Sequence, residues 1–343
     1  MKKRLISFIV VFIFSFSLTG CEKDEKLSKR DTYMLGTIIS LKYYGENGEK
    51  AIEESLDKLK DIENKMSLNI DSSEICKLNK NAGKTYTKVS KDTYEVINEA
   101  LEYGELSKGA FDISILPVSS LWNIGTDNPR VPESEEIKNA LKYVNYKNIV
   151  LNKKDNSVFL KEGNMAIDLG GIAKGYAADQ LKSIVEKYKI KRAFINLGGN
   201  LYVYGEKEKG EPWNIGIQDP LGDKGKSFAT LRVKNKSVVT SGNYERYFIK
   251  NGKRYHHIFD PKTGYPAERG IISSTIISDK SMDGDALSTA TYVLGVDEAM
   301  KLINSLKGVE AVFVTADKKV YTTEGIKDSL EITNGEFTYE KGR

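Results

Sequence analysis

The sequence predicts a single α+β domain, and three observations carry that expectation. Short strand segments and amphipathic helices follow one another in mixed order, several strand segments neighbour each other like hairpins, and no Pro/Gly-rich linker or internal repeat divides the 343 residues. A doubly wound parallel sheet would instead demand regular strand–helix alternation. The length suffices for one large domain or two small ones with a sizeable core; without a linker, one is expected, with mixed or antiparallel sheets and packed helices.

In chain order, Ile38–Tyr44 is rich in β-branched and aromatic residues and reads as a strand. Over Glu49–Met66, the residues Ile52, Leu56, Leu59 and Met66 share one helical face. A second helix is expected over Asp92–Leu106, with Asp92 as its N-cap. Ile149–Leu151 and Ser157–Leu160 form a hairpin across Lys153-Lys154-Asp155-Asn156. Phe194–Leu197, Leu201–Tyr204, Asn214–Gln218, Ala229–Val233 and Ser237–Thr240 read as short strands, and one long helix is expected over Asp285–Leu306.

Hydrophobic residues make up 40% of the chain and charged residues 29%, with a formal net charge of +4. Lys and Arg are spread along the whole length without an aromatic-interleaved basic stripe, which argues against nucleic acid as a partner. The N-terminus carries a targeting signal. Lys2, Lys3 and Arg4 precede an apolar run from Leu5 to Leu18, which ends in Leu18-Thr19-Gly20-Cys21. So short a run reads as a signal-peptide core rather than a membrane span. The small residues before Cys21 resemble the bacterial lipobox, in which the thiol receives the lipid; the alternative is a plain secretory signal with an incidental Cys. The expected organisation is a lipoprotein signal peptide over 1–20, a charged tether over 21–31 and a globular domain over 32–343. The lipid would hold that domain on the extracytoplasmic face of a bacterial cell membrane. The other cysteine, Cys76, is left without a disulfide partner and reads as structural.

Several segments could carry chemistry. In Ile167-Asp168-Leu169-Gly170-Gly171-Ile172-Ala173-Lys174-Gly175-Tyr176 a strand runs through paired glycines into a helix reaching about Tyr188. Paired glycines admit close approach of a ligand, and a helix N-terminus favours phosphate. The spacing is neither Walker A nor GxGxxG, and a tight turn with Asp168 as helix cap is the competing reading. In Met282-Asp283-Gly284-Asp285-Ala286-Leu287-Ser288-Thr289, Asp285 and Thr289 share a helical face with Ser288 beside them. Hard oxygens of this kind suit Mg²⁺ rather than zinc; alternatively Asp283 or Asp285 merely caps the helix. The only histidines are His256 and His257, in Tyr255-His256-His257-Ile258-Phe259-Asp260-Pro261-Lys262-Thr263-Gly264. Alternation along a strand lets at most one of them face a site, where a neutral imidazole could serve as a general base. The rest of that stretch is good turn chemistry by itself. Ser107-Lys108-Gly109-Ala110-Phe111-Asp112-Ile113-Ser114 sets small residues beside an aromatic, suiting a flat ring or simple core packing. Ser241, in Thr240-Ser241-Gly242-Asn243-Tyr244-Glu245-Arg246-Tyr247, could be a nucleophile but lacks the Gly-x-Ser-x-Gly elbow.

Taken in order, these segments resemble the ApbE family of FAD:protein FMN transferases. The resemblance runs from about residue 32 to about residue 320. It also takes in Leu35-Gly36-Thr37, Met66-Ser67, Asp71-Ser72-Ser73-Glu74-Ile75, Leu78-Asn79, Asn196-Leu197-Gly198-Gly199-Asn200 and Pro212-Trp213-Asn214-Ile215-Gly216-Ile217. It implies a T-fold-like ApbE domain that takes FAD as substrate and Mg²⁺ as cofactor. By position it places Leu35, Asn69, Ala110, Phe111, Asp112, Asp168, Lys174 and Ile258 around the flavin nucleotide. The metal would be held by the Gly171 carbonyl, Asp285 and Thr289, with Ser288 as a further contact, and His257 and Lys174 would be catalytic. Leu35 stands where Met is common, a volume-conserving change. The implied reaction attaches FMN through a phosphoester to Thr or Ser of an exported acceptor with a flavinylation motif, such as an FMN-binding electron-transfer subunit, and releases AMP. The alternatives are Mg²⁺-dependent hydrolysis of FAD to FMN and AMP, and a flavin-carrying lipoprotein without turnover.

Overall fold

The computed structural model describes residues 26–208 and 210–340; the apolar N-terminal run and Cys21 lie outside the described residues. The strands are β1 (Leu27–Met34), β2 (Thr37–Tyr44), β3 (Thr87–Lys88), β4 (Ile149–Asn152), β5 (Ser157–Leu160), β6 (Arg192–Leu197), β7 (Asn200–Tyr204), β8 (Trp213–Gln218), β9 (Ser227–Val233), β10 (Lys236–Gly242), β11 (Tyr247–Lys250), β12 (Lys253–His256), β13 (Ile271–Ser278), β14 (Glu310–Thr315), β15 (Lys319–Thr322), β16 (Leu330–Ile332) and β17 (Thr338–Glu340). The helices are α1 (Gly48–Met66), α2 (Glu74–Lys80), α3 (Lys91–Leu106), α4 (Leu116–Trp122), α5 (Ser134–Leu141), α6 (Ala173–Lys187), α7 (Ser281–Leu294) and α8 (Val296–Asn304).

A nine-stranded sheet in the order β1-β2-β6-β7-β10-β13-β14-β15-β17 forms the backbone of one α+β domain. All its pairings are antiparallel except β15 with β17. The period-2 alternation of strand side chains divides its residues between two cores. On β14, Val312 and Val314 face a cluster built with Trp213, Ile215, Phe228 and Leu231 of the three-stranded sheet β16-β9-β8. Ala311 and Phe313 face the opposite way, onto Leu287, Tyr292, Met300 and Ile303 of α7 and α8. β13, buried along its whole length, runs through the middle of these layers. A third cluster packs Ile52, Leu59 and Ile62 of α1 and Tyr176, Leu181 and Val185 of α6 onto Ile39, Leu41, Ile195 and Tyr202. Among the described residues no helix is long and apolar enough to cross a membrane.

Four elements differ from expectation, each for a local reason. β1 begins at Leu27 and pairs with β2 from Leu27↔Tyr44 onward, so residues 27–31, expected in the tether, belong to the sheet. The cap of α3 is Ser90, whose Oγ accepts from Thr93 N at 3.3 Å, rather than Asp92. Asp92 instead receives Lys58, Lys65 and the Tyr176 hydroxyl at 2.8, 3.0 and 2.8 Å. The long C-terminal helix is two helices broken at Gly295, whose φ is +80°; a Cβ there would lie 2.8 Å from Arg269 O. Ile167-Asp168-Leu169 is extended but joins no sheet. The Asn79 side chain clasps Ile167 instead, accepting from its N at 2.8 Å and donating to its O at 3.0 Å.

Candidate active site

The site forms where the N-terminal turn of α6 meets α7. The extended strip ends in an Asx turn, with Gly170 N donating to Asp168 Oδ1 at 2.8 Å. The chain then passes Gly171 and enters α6, and Lys174 Nζ folds back to Gly170 O at 3.0 Å. Across from it, α7 presents Asp285. Its Oδ2 accepts from Gly175 N at 2.9 Å, and its Oδ1 lies 3.5 Å from Lys174 Nζ. One turn further, Thr289 Oγ1 lies 3.4 Å from Ser241 Oγ at the end of β10. A Cβ on Gly171 would sit 3.1 Å from the Phe111 ring and 3.7 Å from Thr289 Oγ1, so Gly171, Phe111 and Thr289 converge. Neither Asp283 nor Asp285 caps α7, which disposes of the simple capping reading of that segment.

The adjacent histidines take opposite roles, as strand alternation requires. His256 is buried, with Nε2 donating to Ala267 O at 3.2 Å and Nδ1 accepting from Ile258 N at 3.3 Å. Both ring nitrogens are spent, and burial pushes its pKa down to about 4. His257 turns the other way. Its Nδ1 donates to Arg246 O at 3.2 Å, which leaves Nε2 with a free lone pair. Burial, reinforced by the Arg246 guanidinium and more weakly by Lys174, lowers its pKa to about 4, so it is a neutral base at pH 7. Arg246 and Lys174 also act electrostatically on Asp168, whose pKa burial nonetheless raises. These shared influences join His257, Arg246, Asp168 and Lys174 into one electrostatic neighbourhood.

Of the residues expected around the nucleotide, the structure gathers most but not all. Ala110 and Ile258 share a buried cluster with Leu287 of α7. Leu35 and Gly36 form the two-residue β1–β2 turn, with φ of +53° and +67° as a tight hairpin requires, and Glu63 Oε1 accepts from Leu35 N at 2.8 Å. Asp112 also has a structural task. Its Oδ1 accepts from Ser114 N and Oγ at 2.8 and 2.6 Å and its Oδ2 from Tyr146 N at 3.0 Å, so it secures the loop behind Phe111. Ser288 is fully buried beside Asp285; it donates to Asp285 O at 2.9 Å and meets Ser241 Oγ at 2.8 Å, so it supports the Asp285 turn. Asn69 lies exposed after α1, and no hydrogen bond joins its side chain to the cluster. Sequence reasoning had not singled out Arg246 or Asp179. Arg246 immediately precedes β11, and its carbonyl meets His257 only once β11 lies against β12 with Tyr247 opposite His256.

Comparison with known proteins decides the family. Residues 35–313 match the ApbE family. The chain belongs to the ApbE family. It is 34% identical over 329 residues to the FAD:protein FMN transferase of Treponema pallidum (strain Nichols), covering 91% of each chain. It is 33% identical over 297 residues to that of Klebsiella pneumoniae (strain 342), covering 87% of this chain and 92% of the relative. The crystal structure of the ApbE protein of Thermotoga maritima superposes with a TM-score of 0.82 at 35% identity, covering 89% of this chain and 99% of that one. The ApbE residues matched here include every element of the site, from Leu35 to Thr289.

Proposed function

We propose that this ApbE protein is an enzyme, a Mg²⁺-dependent FAD:protein FMN transferase that joins FMN through a phosphoester to a Thr or Ser of an exported acceptor and releases AMP. One observation carries the reading: a neutral His257 with a free Nε2 shares one site with Lys174, Arg246 and the oxygens of Asp285 and Thr289. The names of the close relatives support it.

The donor set fits Mg²⁺. Asp285 Oδ1, Thr289 Oγ1 and the Gly171 carbonyl are hard oxygens, and Lys174 already sets a cation against Asp285 Oδ1. Among the described residues no group of three or more His, Cys, Asp or Glu could hold a metal. A single carboxylate is nevertheless what Mg²⁺ uses when substrate phosphates complete its shell. When bound, the ion would neutralise charge on the pyrophosphate oxygens as the bridging bond breaks. The protein's own groups supply the rest. Leu35, Ala110, Phe111 and Ile258 offer apolar surface to the flavin, and the Gly170–Gly171 turn admits the phosphates. Lys174 and Arg246 offset their charge. His257 Nε2 takes the proton of the attacking hydroxyl. The hydroxyl oxygen then bonds to the FMN-side phosphorus, and the bond to the AMP oxygen breaks. A lipid on Cys21 would keep this chemistry on the outer face of the cell membrane, where exported acceptors such as FMN-binding electron-transfer subunits reside.

The test is intact-protein mass. The chain lacking residues 1–21 is incubated with FAD, Mg²⁺ and an acceptor, with and without EDTA. An EDTA-sensitive acceptor gain of FMN minus water, with one AMP per acceptor, is expected, and Asp285→Asn should abolish it. Free FMN and AMP with an unmodified acceptor would make the protein a hydrolase. Bound, intact FAD would make it a carrier.

A further inference from the structure

The two helices that build the site cap each other. A helix leaves its first N–H groups without internal partners, and a Ser, Thr, Asp or Asn at the N-cap normally answers them. Here the N-cap residues are Ile172 for α6 and Lys280 for α7, and neither supplies a side-chain acceptor. Each helix finds its acceptor on the other. Asp179, in the second turn of α6, accepts from Ser281 N and Met282 N at 2.7 and 2.9 Å, across 102 residues of sequence. Asp285, in the second turn of α7, accepts from Gly175 N at 2.9 Å. The exchange needs near-contact between the helices, and Gly175 provides it, since a Cβ there would lie 2.5 Å from Ser281 O and 2.6 Å from Met282 Cα. Ser281 Oγ is fastened from below by Ser237 Oγ at 2.8 Å and Asn200 Oδ1 at 2.6 Å.

We propose that Asp179 is a positioning residue for Asp285: by capping α7 from α6 it fixes where α7 stands, so that Asp285 spends Oδ2 on Gly175 and keeps Oδ1 turned toward Lys174 and the substrate phosphates. The two hydrogen bonds of Asp179 go to the α7 backbone, not to Asp285, Thr289 or Lys174. Its buried carboxylate, whose pKa burial raises to about 6, presents Oδ1 to Ser281 N and Oδ2 to Met282 N. Asn offers one acceptor where the two N–H groups need two. The consequence for metal binding rests on the proposed function, whereas the coupling of the two caps does not.

The experiment is amide hydrogen exchange on the folded chain lacking residues 1–21, comparing wild type with Asp179→Ala and, should that variant not fold, Asp179→Asn. Ser281 and Met282 lose their acceptor directly and exchange faster under any account. The decisive amide is Gly175, which Asp179 does not touch. Its exchange should accelerate by at least about tenfold, and Mn²⁺ added alone and followed by its electron paramagnetic resonance should bind roughly 10–100-fold more weakly, the usual cost of losing an outer-shell partner. Turnover at saturating Mg²⁺ should return toward wild type, a KM-type defect that general unfolding would not give. Unchanged exchange at Gly175 would overturn the proposal, since the caps would then be independent. Wild-type protein that binds no Mn²⁺ would remove the metal reading, with Gly175 still deciding the role of Asp179.

Discussion

The helix pair that carries Lys174, Asp285 and Thr289 is locked by carboxylates that reach from one helix to the other, whereas the strand end that carries His257 is held by backbone carbonyls and stacked rings. On the helix side, the candidate site and the frame share a residue: Asp285 caps α6, and Gly175 permits the contact. On the hairpin side the labour is divided. Phe248 stacks on Tyr255 at 5.3 Å and Tyr255 lies against Trp122 at 5.6 Å, while His256 anchors inward to Ala267. His257 makes one hydrogen bond through its ring and is otherwise free. Substitutions on the helix side should therefore lower stability and ligand affinity together, while those at His257 should separate chemistry from folding.

The largest expected effect is the cleanest test of that separation. His257→Ala should lower kcat by about 10²–10⁴-fold, or roughly 3–5 kcal/mol on the barrier, the usual worth of a positioned general base. The thermal midpoint should stay within a few degrees, because little packing is lost. A comparable fall in midpoint would erase the distinction between the two sides.

The neighbouring histidine should show the reverse. His256 has a folded pKa of about 4 against an unfolded value of about 6.5. The folded state thus binds its proton less readily, so the stability this group contributes is present above pH 6.5 and lost as pH falls toward 4. The loss amounts to about 3 kcal/mol. Urea midpoints between pH 7 and 4 should fall less steeply in His256→Gln than in wild type, and parallel slopes would show that His256 does not titrate in this window.

These contrasts also mark what the sequence could disclose. Asp285 and Thr289 are one turn apart, so their shared face is a local property, as is the Gly170–Gly171 turn. Strand alternation alone separates His256 from His257. Asp112 and Ser288 also brace the fold, which local pattern cannot tell, since Tyr146 lies 34 residues from Asp112 and Ser241 lies 47 from Ser288. Asp179 sits at an ordinary helical position, and its partners at Ser281 and Met282 come near only when α6 and α7 pack. Ser90 and Asp92 are both good caps on composition; the fold chooses by setting Asp92 before Lys58 and Lys65. A glycine within an apolar helical pattern is tolerated often enough that Gly295 did not announce a break.

Gly175→Ala probes the helix side directly. The added methyl meets backbone atoms of Ser281 and Met282 that cannot rotate away, so α7 must shift. A loss of about 1–3 kcal/mol in unfolding free energy is expected, the usual cost of overpacking. It should come with weaker Mg²⁺ dependence of FAD binding, since Asp285 moves with the helix. Stability lost without any change at the metal would mean that Asp285 follows its own backbone rather than the contact with α6.

The smallest effect asks which neighbour sets the place of α7. Tyr103 of α3 donates its hydroxyl to Asp283 Oδ1 at 2.7 Å, and burial together with the Asp283 charge raises the phenol pKa, so it is always the donor. Tyr103→Phe removes that bond and leaves the ring in place, for an expected loss of about 1 kcal/mol. The bond meets α7 through a half-buried side chain rather than through its backbone N–H groups, and α7 keeps both N–H bonds donated to Asp179 in the variant. Metal affinity should therefore change less in Tyr103→Phe than in Asp179→Ala. The opposite ranking would place the register of α7 under the control of α3, and the pairing of α6 with α7 would then be a consequence of the site's geometry instead of its cause.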